Sequence, residues 1–157
     1  MLRSFNDKRT ATRRYLIGTV PSLNDIPAAV ESASAHYLLF LALDAASIED
    51  ERLRFLARAL IDRGMACLCV WGNDCSRVHD QFDLEREPNE SEGRVVTTTW
   101  HDDEPISEAL WYFANCAYPS DDFEADCTDW VAISVANQEW EQQITRELVE
   151  MNQGFPP

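Results

Sequence analysis

The chain has a single lysine, Lys8, among 13 basic residues, and 28 acidic residues oppose them. A body this acidic repels nucleic acid and anionic membranes unless a local patch dissents. A phospho-acceptor switch would want a lysine at a strand end, and none is available. Glycine is also scarce, with five in 157 residues. Only Gly72 stands in a turn after an expected strand, so there is no glycine-rich loop to cradle phosphate. No run approaches the roughly 20 apolar residues of a membrane span. No apolar segment follows the basic start, which argues against a secretory signal. Cysteine is present as an odd set of five, two of them inside an expected core strand. That is no disulfide framework; it points to a reducing compartment, and the cytoplasm is expected. No internal repeat is visible.

The charge that is present is uneven. Residues 1–20 carry Arg3, Lys8, Arg9, Arg13 and Arg14 against Asp7, while the remainder holds eight bases and 27 acids. The start could be the dissenting basic patch; otherwise it reads as a disordered tail or an arm docked on the acidic body. Its arginines and hydroxyl residues also allow a transit peptide. The expected organisation is this arm at 1–20, one α/β domain at 21–152 and a tail at 153–157.

Within the domain, strands and helices alternate. Tyr15–Val20 allows an extra edge strand at the N-terminus, and a short helix with Pro27 in its first turn is expected to run toward Ala35. His36–Leu43 is continuously apolar, which suits a strand covered on both faces. Ser47 caps the next helix, Leu53, Leu56, Ala59 and Leu60 form its stripe, and Gly64 stops it. Residues 66–71 form a second strand, followed by a helix to Phe82 or Leu84 and an acidic loop from Glu85 to Arg94. Val95–Trp100 is a β-branched strand. Pro105 opens a helix with Ile106, Ala109, Leu110 and Phe113 on one side. After an acidic loop at 120–129, Trp130–Val135 is a strand, and Asn137 caps a last helix that Gly154 ends. This pattern predicts a three-layer α/β sandwich around a mainly parallel four-stranded sheet, Rossmann-like or flavodoxin-like in strand order.

In such folds ligands sit beyond the carboxyl ends of the strands. Those ends deliver Asp44, then Trp71, Asp74 and Cys75, then Trp100, His101, Asp102, Asp103 and Glu104, and finally Asn137. Cys75 falls in the first turn of a helix, where backbone N–H groups favour a thiolate. His79 lies one turn further on, and His101 comes from a nearby strand end. With Asp102 or Asp74 to orient the imidazole, Cys75 and a histidine would form a nucleophile and its base. The surrounding acids oppose this by raising the thiol pKa. Cys67, Cys69, Cys75 and His79 have a C-x-C-x5-C-x3-H spacing. The first two should lie mid-strand under a helix, too deep to join a zinc set, and small buried hydrophobes are expected. Asp44, Asp74 and Asp102 would suit a hard cation, although no metal or cofactor is assigned. Trp71 and Trp100 each end a strand and can floor a pocket or anchor a partner. Trp111 and Trp140 are expected in the core.

Two strings, Cys69-Val70-Trp71-Gly72-Asn73-Asp74-Cys75 with Val78-His79-Asp80, and Thr98-Thr99-Trp100-His101-Asp102-Asp103-Glu104-Pro105 with Glu108-Ala109-Leu110-Trp111, resemble a family of small bacterial proteins classed as a domain of unknown function. The resemblance spans about residues 36–150. It implies one domain and brings no activity or site residues. Two functional readings remain. In the first, a non-catalytic or regulatory module engages a basic protein partner or a small molecule through Asp44, Trp71, Asp74, Trp100, Asp103 and Asn137. In the second, an enzyme acts on a small molecule through Cys75, His79, His101 and Asp102 or through a carboxylate-bound cation. Regular rows of carboxylates, which nucleic-acid mimicry needs, are absent.

Overall fold

The computed structural model describes residues 1–90 and 95–153. Its strands are β1 (Arg3–Asn6), β2 (Arg14–Val20), β3 (His36–Ala42), β4 (Met65–Trp71), β5 (Thr97–His101) and β6 (Cys127–Val135). Its helices are α1 (Ile26–Ala29), α2 (Asp50–Arg63), α3 (Cys75–Glu90), α4 (Ile106–Asn115) and α5 (Gln138–Asn152). The six strands form one sheet in the order β1-β2-β6-β3-β4-β5, parallel except for the antiparallel β1. The mainly parallel α/β class is as expected; the count is six strands, not four, and the extra strand allowed at Tyr15–Val20 is β2, which lies inside the sheet between β1 and β6 and not at its edge.

Neither expected strand order is present. Rossmann and flavodoxin sheets run 3-2-1-4-5 and 2-1-3-4-5. Here the last strand, β6, is inserted between β2 and β3. Right-handed crossovers then fix the layers. The steps β2 to β3, β3 to β4 and β4 to β5 all move one way across the sheet, so α1, α2 and α3 share a face, with α1 and α3 each packed on α2. The step from β5 to β6 returns, which puts α4 on the other face against α5. Both faces of β3 and β4 are thus covered, and their apolar runs are buried almost throughout.

The basic start is built into this sheet. Arg14 grips the buried Asp129 with both arms, at 3.0 and 2.8 Å. Arg3 pairs with Glu141 at 2.9 Å, and Arg9 and Arg13 lie 3.1 and 3.5 Å from buried Asp7. β2 of this start pairs with β6 of the sheet, and Arg3 and Arg14 meet Glu141 and Asp129 of the acidic body. β1 carries only one part-buried residue, Phe5, so it has no readable hydrophobic period.

Several expected boundaries move. The helix toward Ala35 is reduced to α1 between two 3-10 turns, and Ser22, with Asp25, provides the capping box. The loop expected from Glu85 is helix as far as Glu90, despite Pro88. Glu85 pairs with Arg58 of α2 at 3.5 Å, and Arg86 bonds Asp83 at 2.6 Å and the carbonyl of Val96 at 3.3 Å. These ties hold the extra turn against its neighbours. β5 begins at Thr97 and β6 at Cys127. Residues 91–94 of the expected loop and Gly154 lie outside the described residues. Trp111 is 56% exposed instead of core.

Candidate functional site

The register aligns Ala42, Trp71, His101 and Ser134 in one row at the carboxyl edge. Beyond that row lies a cleft of about 420 Å³, lined by Asp44, Trp71, Gly72, Asn73, Asp74, His101, Asp102, Asp103, Glu104 and Trp140. It opens where the chain leaves β4 toward one face of the sheet and β5 toward the other, as the general rule for open parallel sheets requires.

The floor is aromatic. Trp71 and Trp140 meet edge to face at 5.2 Å, and the Trp71 indole N–H donates to the carbonyl of Glu104 at 2.9 Å. That bond fixes the loop after β5 to the end of β4. Asn137, expected to touch a ligand, is the helix cap: its side chain accepts from the N–H of Trp140 at 3.0 Å and so holds α5 and its indole in place. Trp140, expected in the core, packs against it half-buried and also lines the cleft. Its helical spacing marks an apolar face but not which residue of that face reaches the sheet edge.

The walls are acidic. Asp44 accepts from the Asn73 side chain at 3.2 Å and from the N–H of Ala46 at 3.1 Å. Asp74 bonds Arg77 at 2.8 Å, and Arg77 also reaches Asp50. Asp102 and Asp103 are exposed and carry no ion pair among the described residues. Left-handed backbone shapes the walls: Gly72, Asp74 and Asp103 have φ of 122°, 63° and 54°.

His101 lines the cleft with both ring nitrogens engaged. Nδ1 lies 2.6 Å from Glu104 Oε1 and Nε2 3.0 Å from Thr99 Oγ, while the ring packs on Tyr112 at 4.9 Å. His79 is on the opposite side of the sheet. Its ring stacks on Trp100 at 4.4 Å, with Asp80 and Asp83 at 3.0 and 3.4 Å. Trp71 and Trp100 are therefore not side by side, because Trp71 pairs with His101 in the ladder and Trp100 is one residue back, on the other face.

The expected nucleophile does not assemble. Cys75, the first residue of α3, is fully buried. Burial pushes its thiol above the ordinary value; a hydrogen bond from the backbone of His101 opposes this, and the nearby Asp102 charge adds to it. Neither histidine ring is placed to take its proton. The four-residue thiol and imidazole spacing is also split. Cys67 and Cys69 face α4 with Thr97, Thr99 and His101, whereas Cys75 and His79 belong to α3 on the opposite face. Among the described residues no three histidine, cysteine, aspartate or glutamate side chains converge as a metal site would need, including Asp44, Asp74 and Asp102. Cys116 is the exposed thiol of the five. A disulfide-exchange reagent is accordingly expected to titrate one thiol in the native protein and five after denaturation; rapid labelling of Cys75 in the folded state would contradict this geometry.

The family model described as domain of unknown function (DUF7684) matches residues 17–151, from within β2 to near the end of α5. The chain belongs to this family. No curated protein matches it. In this DUF7684 member the matched span includes every residue of the cleft. No helix among the described residues is long and apolar enough to cross a membrane.

Proposed function

We propose that this protein is a non-catalytic binding module whose carboxyl-edge cleft holds a positively charged group, supplied by a basic protein partner or a small amine. One observation carries the reading: Asp44, Asp74, Asp102, Asp103 and Glu104 ring an indole floor, and among the described residues no lysine or arginine lines the cleft. Carboxylates attract the cation, and the face of an indole favours it further once water is displaced. The other reading, a Cys75 enzyme, loses its support with the burial of that thiol. Four buried free cysteines fit a reducing compartment and support a cytoplasmic setting.

The test is a titration with spermidine, followed by the indole N–H resonances of Trp71 and Trp140. Saturable shifts are expected at low salt, weakening as ionic strength rises. Asp102→Asn and Asp103→Asn are each expected to weaken binding roughly five-fold, about 1 kcal/mol for one charge at 4 Å in water. Equal shifts with a neutral polyol, or no effect of the two substitutions, would remove the reading.

A further inference from the structure

Among the described residues β5 ends the sheet and pairs only with β4, so one row of its backbone N–H and C=O groups has no strand partner there. Such an edge is a template for another chain, and proteins guard it with lysine, proline, bulges or a covering element. The opposite edge strand, β1, is four residues long and bears Arg3. Among the described residues β5 itself carries no lysine, proline or bulge. Its sequence is Thr97-Thr98-Thr99-Trp100-His101, in unbroken register with β4, and threonine and tryptophan favour extended backbone.

The same strand presents an anchor. Trp100 is 47% exposed, yet its indole is fixed against His79, which Asp80 and Asp83 flank. Thr98 beside it is bonded to Asp83 at 2.5 Å. A rigid, half-exposed indole is the kind of residue that dominates binding energy at interfaces. The charge around it selects the occupant. Asp80, beside the His79 that packs on Trp100, and Asp102 and Asp103, just past β5, are exposed, and the whole chain carries a net charge of −15. A second copy would bring the same negative charge to the contact, whereas a basic segment complements it.

We infer that the free edge of β5 accepts an extended basic segment of a protein partner, added to the sheet as a further strand with Trp100 as the side-chain anchor. This deepens the reading of the cleft as a site for a positive group, and rests on it. The chain leaving β5 supplies His101, Asp102, Asp103 and Glu104 to the cleft wall. A segment laid along β5 at about 3.3 Å per residue therefore points its following residue, a lysine or arginine, at the cleft. Main-chain bonds along the edge provide affinity, and the alternate side chains provide selectivity.

The probe is a peptide of about ten residues alternating lysine and valine, capped at both ends. It is expected to slow amide exchange in Thr97–His101 by about ten-fold or more, as a newly paired edge requires. Trp100→Ala is expected to weaken binding by about ten-fold or more, as loss of an interface anchor does. The same peptide N-methylated at alternate residues is expected not to bind, and so is a glutamate–valine peptide. Equal binding of the N-methylated probe, or unchanged binding by Trp100→Ala, overturns the proposal. Peptide that shifts Trp71 and Trp140 but leaves β5 exchange unchanged overturns it while the cleft reading stands. Protection of β5 by peptide, with no response of the cleft to spermidine, supports the edge and sinks the cleft reading instead. Protection that rises with protein concentration alone assigns the edge to a second copy and overturns the basic segment.

Discussion

Gly72→Ala is expected to lower the free energy of unfolding by about 2–6 kcal/mol, with strain at positive φ and overpacking each contributing about 1–3. The residue has φ of 122°, and a Cβ there would lie 2.0 Å from the carbonyl oxygen of Leu43. That oxygen cannot retreat freely. The N–H of Leu43 bonds the carbonyl of Trp71 at 3.1 Å, and the N–H of Ala45 bonds that of Asn73 at 3.0 Å. These bonds join the ends of β3 and β4, so any shift displaces Asp44, Asn73 and Asp74 together. Spermidine binding is expected to be lost along with stability. Gly18→Ala is the control. Its Cβ meets the tip of the Leu2 side chain at 2.6 Å, and Leu2 can swing away; a cost below about 1 kcal/mol is expected. Urea unfolding of both variants decides the matter, and equal midpoints would mean that the β3–β4 approach does not constrain position 72.

Asp7→Ala is expected to cost about 3–5 kcal/mol, the range for breaking a buried ion pair from one side. Asp7 is 2% exposed and accepts from the backbone and side chain of Arg9 at 2.9 and 3.1 Å and from the hydroxyl of Tyr15 at 3.3 Å. Arg13, itself buried, lies over the Trp130 ring at 3.9 Å and donates to the carbonyl of Ala114 at 2.7 Å. Removing Asp7 strands that guanidinium. A double variant, Asp7→Ala with Arg13→Met, is expected to recover part of the loss; an additive result would show that the two side chains are not coupled.

The same carboxylate gives a pH signature. Burial alone would raise the Asp7 pKa, but the hydrogen bonds of Arg9 and the charges of Arg9 and Arg13 outweigh it and hold the carboxyl below its ordinary value. The folded value is thus lower than the unfolded one of about 3.9. Its contribution is complete above the unfolded value and is lost as pH falls through the folded value. The stability gap between the native chain and Asp7→Asn is therefore expected to be constant near neutrality and to close below about pH 4. A gap that widens on acidification would reverse the sign of this argument.

Much of the fold was legible in local patterns. The apolar run at His36–Ala42 can only be satisfied by cover on both faces, and this strand lies in the interior of the sheet. Gly64, Pro105 and Asn137 marked helix ends because their effects act within one turn of backbone, and α2, α4 and α5 begin or end beside them. The parallel α/β class and the carboxyl edge follow from that alternation. So does the gathering of Asp44, Trp71, Asp74, Asp102 and Asp103, since each ends a strand or follows one within three residues.

What the sequence could not determine is whatever depends on which strand pairs with which. The buried faces of parallel strands carry interchangeable apolar residues, so nothing local places β6 between β2 and β3. β1 has too little buried surface to show a period, and besides the local pairs of Asp7 with Arg9 and Arg13, Arg3 and Arg14 meet Glu141 and Asp129, partners that only the folded chain brings near. The face on which each edge residue falls was decided the same way. A register offset of one residue sends Trp100 and His79 to one side and Trp71 and His101 to the other, because successive side chains of a strand point in opposite directions. That alternation separates Cys75 from the imidazole of His101 and leaves an acidic cleft on a floor of two tryptophans.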